Sequence, residues 1–73
     1  MIKKEADQIT YNIRIKGYLD KRWEDWFEGL TIAHENNGTT TLSGSLPDQA
    51  ALHSILLKIR DMNLTLISVT QSE

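Results

Sequence analysis

The chain has 73 residues, 40% hydrophobic and 25% charged, with a formal charge of −2 and no cysteine. That length allows one domain, and the composition is that of an ordinary folded protein. It excludes disulfides, thiolate metal sites, cysteine nucleophiles and a general electrostatic pull toward nucleic acid or anionic membrane, and it suits a reducing cytoplasm.

Residues 1–8 are polar and aperiodic and read as a flexible arm. Met1-Ile2-Lys3-Lys4-Glu5 lacks the apolar core of a secretory signal, and no apolar run is long enough to span a membrane. From Ile9 the pattern changes. Ile9, Tyr11, Ile13, Ile15, Gly17 and Leu19 alternate with Thr10, Asn12, Arg14, Lys16 and Tyr18, which predicts a strand with one buried and one wet face.

Asp20 suits a helix N-cap, with Glu24 and Asp25 adding negative charge near that positive end. Trp23, Trp26, Phe27 and Leu30 follow at i, i+3, i+4 and i+7, the inward stripe of a helix about two turns long that Gly29 would close. Whether Trp23 instead meets a partner is open at this level, because tryptophan is enriched at interface hot spots.

Leu30–Glu35 and Thr39–Ser45 read as a hairpin around Asn36-Asn37-Gly38. A two-residue Asn-Gly loop would set Ile32 opposite Ser43 and mix the two faces. A three-residue loop pairs Ile32 with Leu42, His34 with Thr40 and Leu30 with Gly44, so it requires a turn at Asn36-Asn37 and a left-handed Gly38. Ser45, with Asp48 three residues later, resembles a capping box for the main helix, and Pro47 is harmless in a first turn. Ala51, Leu52, Ile55, Leu56, Ile59 and Met62 form its buried stripe. Asn63 reads as a left-handed cap with Leu64 folding back. Leu64–Thr70 is the last strand; its inward parity is ambiguous, since Leu66 competes with Ile67 and Val69. Residues 71–73 read as a tail.

The order βαββαβ implies an α+β fold, a ferredoxin-like two-layer sandwich spanning residues 9–70 with a short first helix. Its strands would lie in the order fourth, first, third, second. If the first connection does not cross over, the alternative is a βββαβ meander plus helix.

Signals for chemistry are sparse. His34 and His53 have no metal-ligand spacing, and no glycine loop for phosphate occurs. Neither a metal nor a cofactor is expected. Asp48, Gln49 and His53 cluster near one helix end, but no serine sits in a nucleophile motif. Arg14 and Lys16 put a basic spot on the open sheet face, yet Tyr18 is the one aromatic there and Glu35 shares the face, so nucleic-acid binding is not expected. The last strand should be a sheet edge without proline or charge, a feature that proteins usually protect. It favours a homodimer or another protein partner.

The stretches Arg22-Trp23, Asp25-Trp26-Phe27, Gly29-Leu30, Gly38-Thr39-Thr40-Thr41-Leu42, Pro47-Asp48-Gln49-Ala50-Ala51-Leu52-His53, Arg60-Asp61 and Leu66-Ile67-Ser68-Val69 form a combined pattern from about Tyr11 onward. In it the chain resembles a family of small uncharacterised single-domain prokaryotic proteins with no assigned activity. The resemblance supplies no catalytic residues. It draws attention to Asp48, Gln49, His53, Arg60 and Asp61, whose polarity a core does not require. The expectation is a cytoplasmic, non-enzymatic protein-interaction or assembly domain. A small-ligand-sensing domain, ACT-like by fold analogy, is second, and an enzyme acting around Asp48 and His53 is third.

Overall fold

A computed structural model describes residues 9–72; the arm expected over residues 1–8 lies outside them. Strand β1 (Ile9–Lys16) leads to a single 3-10 turn at Lys21–Trp23, then to β2 (Thr31–His34), β3 (Thr39–Leu46), helix α1 (Gln49–Asp61) and β4 (Thr65–Ser72). The fold is α+β: one helix on a four-stranded sheet of order β2-β3-β1-β4, with every adjacent pair antiparallel.

Two expectations about the first half need correction. The first strand does not continue to Leu19: Gly17 takes φ +103 and the chain leaves the sheet. The expected two-turn helix is also absent. Asp20 does cap, its Oδ1 accepting from Arg22 N at 2.9 Å. Beyond Trp23, however, Glu28 and Gly29 both take positive φ and turn the segment toward β2. With so few residues, burial of Leu19, Phe27 and Leu30 decides the path, because a helix this short has no stability of its own. The element order is thus βββαβ with a 3-10 turn, while β3 lies between β1 and β2 in the sheet.

The alternation in β1 buries Tyr11, Ile13 and Ile15 beneath α1, where they meet Leu19, Phe27, Leu30, Ile32, Leu42, Leu46, Leu52, Ile55 and Ile59. Thr40 is the polar member of this core, at 0% exposure. Its hydroxyl donates to Gly17 O at 2.6 Å and accepts from Leu19 N at 3.2 Å, so the irregular exit from β1 is tied to β3 without an orphaned group.

The hairpin has the three-residue loop. Ile32 pairs with Leu42 and His34 with Thr40. Glu35 N donates to Thr39 O at 2.8 Å, and Gly38 takes φ +83. The same register brings Leu30 onto Gly44, where a Cβ would stand 2.8 Å from Leu30 Cδ2. The helix starts later than expected. Ser45 stays in β3, and Asp48 is the N-cap, accepting from Ala51 N at 2.9 Å. At the other end Leu64 N reaches Ile59 O and Asn63 N reaches Arg60 O, with Asn63 at φ +61, a Schellman closure.

The parity of β4 is resolved by a bulge. Val69 faces Ile13, Ser68 faces Arg14 and Leu66 faces Ile15, leaving Ile67 as the extra residue. Facing residues share a side of the sheet, so Leu66 and Val69 both lie on the helix side. The strand also runs through Gln71 and Ser72, which were expected to be tail.

Candidate functional site

Each edge of the sheet ends differently. β2 is four residues long, and its Ile32 N–H points away from β3 into Glu24 Oε2 at 2.9 Å. The 18–30 segment lies against it, so this edge is closed. β4 is eight residues long, carries no charge, and exposes Leu66 at 44%, Ile67 at 47% and Val69 at 38%. Among the described residues, no irregular backbone hydrogen bond reaches its outer side.

The helix has two unlike flanks. Lys58 donates to Trp26 O at 2.8 Å and to Glu28 Oε2 at 3.0 Å, and its Nζ stands 5.0 Å from the Trp26 ring centroid. These contacts tie one flank of α1 to the 18–30 segment. The opposite flank carries Gln49, His53, Leu56 and Arg60 at i, i+4, i+7 and i+11. That flank therefore faces the β4 side, where no second helix covers Leu66 and Val69.

The outer face of the sheet, opposite α1, is polar. It holds a shallow concavity of about 500 Å³ lined by Asn12, Arg14, Glu35, Thr41, Ser68, Thr70 and Gln71. Arg14 stands between Thr41 and Ser68 across the sheet. Glu35 Oε2 accepts from Thr41 Oγ1 at 2.9 Å.

Of the residues singled out in the sequence, Arg14 lines this concavity and Lys16 shares its face. Tyr18 does not. The turn at Gly17 carries it away, and its ring stacks on His34 at 4.2 Å between centroids. His34 Nε2 lies 2.6 Å from Leu19 O, so this histidine has a structural partner. Asp48 is occupied as the helix cap, while Gln49, His53, Arg60 and Asp61 are exposed on α1. Arg60 pairs with its neighbour Asp61 at 3.5 Å, an exposed contact of little energetic weight. Those five residues and Arg14 lie on opposite sides of the sheet and form no common site. Among the described residues, no group of three or more metal-ligating side chains occurs.

The sequence reading missed two features. Trp26 is 48% exposed rather than part of the core, and it packs edge-on to half-buried Trp23 at 6.4 Å. Glu24 closes the β2 edge instead of serving a helix dipole. Neither is encoded in the i, i+3, i+4 spacing, which assumed a helix that does not form.

The chain belongs to a family described as a domain of unknown function (DUF8691), matched over residues 10–70. No curated protein and no solved structure matches it. No helix among the described residues is long and apolar enough to cross a membrane.

Proposed function

We propose that this chain is a non-enzymatic assembly domain that forms a two-fold dimer through the free edge of β4. The observation that carries this reading is the asymmetry of the sheet: a long, uncharged edge with exposed Leu66, Ile67 and Val69 at one side, and an edge closed by Glu24 at the other. A second copy offers an identical edge in antiparallel orientation, and neither copy brings a like charge to the seam. Pairing would satisfy the outer backbone groups of β4 and place the Leu66 and Val69 side chains of two copies side by side. Because the other edge is closed, such association ends at the dimer and does not propagate.

The reading treats the fold as a ferredoxin-like arrangement whose first helix has contracted to the 3-10 turn; the position of β3 between β1 and β2 supports it. A cytosolic setting is part of the proposal, supported by the absence of cysteine. Small-ligand sensing is the second reading, favoured by the concavity around Arg14.

Sedimentation equilibrium tests the dimer. The expected result is a concentration-dependent species of twice the 8.3 kDa chain mass. Val69→Lys should weaken it by about 100-fold, by placing two desolvated charges at the seam. Leu57→Lys, a change at an exposed apolar residue on α1, should leave it intact. A monomer at every concentration, or a dimer indifferent to Val69→Lys, would overturn the proposal.

A further inference from the structure

The outer-face concavity holds two opposite charges that form no direct ion pair with each other. Glu35 is anchored to the Thr41 hydroxyl, and Arg14 stands on the central strand β1 beside Thr41. Among the described residues, the ion pairs are Lys58–Glu28 and Arg60–Asp61, and Arg14 and Glu35 do not pair with each other. The rest of the lining is short and polar: Asn12, Thr41, Ser68 and Thr70 supply hydroxyl and amide groups, and no aromatic ring contributes.

This charge pattern selects its ligand. A simple anion would be drawn to Arg14 but repelled by Glu35, and a simple cation the reverse. A nucleobase would find nothing to stack on. A compact molecule carrying both charges meets both groups at once. The guanidinium fork suits a carboxylate, and the Glu35 carboxylate suits an ammonium group. We propose that the outer face of the sheet binds a small zwitterion of the amino-carboxylate class, its carboxylate on Arg14 and its ammonium on Glu35. The site is built within one chain, so it does not depend on pairing through β4.

Amide chemical shifts of the isotopically labelled protein would be followed during titration with free amino acids. Acetate and methylammonium serve as probes carrying a single charge. The expected result is saturable shifts at Asn12, Arg14, Thr41, Ser68 and Thr70 for at least one amino acid. Acetate and methylammonium should bind more weakly, by up to about fivefold, the effect of losing one exposed ion pair. Arg14→Gln and Glu35→Gln, both at exposed positions, should each remove that advantage while leaving the rest of the spectrum unchanged. The Val69→Lys variant should bind as the parent does, which separates this site from the dimer. The proposal is overturned by the absence of saturable outer-face shifts for every amino acid tested. It is equally overturned if acetate binds as tightly as the amino acids, or if binding survives unchanged in Glu35→Gln.

Discussion

Two neighbouring aromatic residues show how little residue type alone says about energetic role. Phe27 is fully buried, whereas Trp26 is 48% exposed and leans on the Lys58 ammonium. Phe27→Ala should cost about 3–5 kcal/mol. Trp26→Ala should cost under about 1 kcal/mol, the scale of an exposed cation–π contact. Urea unfolding of the two variants would separate them, and equal losses would place Trp26 in the core. Thr40 carries a different weight. Its hydroxyl serves both Gly17 O and Leu19 N in a site with no exposure. Thr40→Val keeps the shape but strands both groups, so the expected loss is about 1–3 kcal/mol by the same measurement.

The helix start and the β4 bulge are decided at the level of the element. Ser45 and Asp48 both carry an oxygen that can cap, but Ser45 is held in β3 with its Oγ 3.2 Å from Thr10 Oγ1. Asp48→Ala should therefore cost about 0.5–2 kcal/mol, the weight of an N-cap. Ser45→Ala should leave the helix start unchanged, a contrast that amide hydrogen exchange at Ala51 would read directly. In β4, the extra residue Ile67 returns Leu66 and Val69 to the same side of the sheet. A period-two reading cannot anticipate that insertion, because β4 has no internal signal for where it faces β1.

For the whole molecule, the unequal edges are the organising fact. The 18–30 segment closes the β2 side and is tied to α1 through Lys58, while Leu66, Ile67 and Val69 stay exposed at β4. Glu24 is the residue that keeps the β2 edge closed. Glu24→Ala should free the Ile32 amide and open a second pairing edge, so sedimentation velocity should show species larger than a dimer. A variant that remains confined to the parental species would remove Glu24 from that role. The chain has no cysteine, so Val69→Cys introduces a unique thiol. Oxidation should then trap a cross-linked dimer if the two copies meet near that residue.

What the sequence determined by itself was local and periodic. Strand alternation placed Tyr11, Ile13 and Ile15 inside, face matching set Ile32 against Leu42, and a left-handed Gly38 followed from that register. The stripe of α1 and its closure at Asn63 and Leu64 were equally legible, because side-chain spacing and capping act between residues a few positions apart. The tertiary structure decided whatever depended on a distant partner: the replacement of the expected first helix by a 3-10 turn at Lys21–Trp23 and irregular turns after it, the exposure of Trp26, the departure of Tyr18 from the outer face and the bulge at Ile67. It also brought Arg14 and Glu35, from β1 and the end of β2, to one concavity. Those outcomes follow from which surfaces remain to be covered once the sheet is assembled, a competition that no local window of sequence contains.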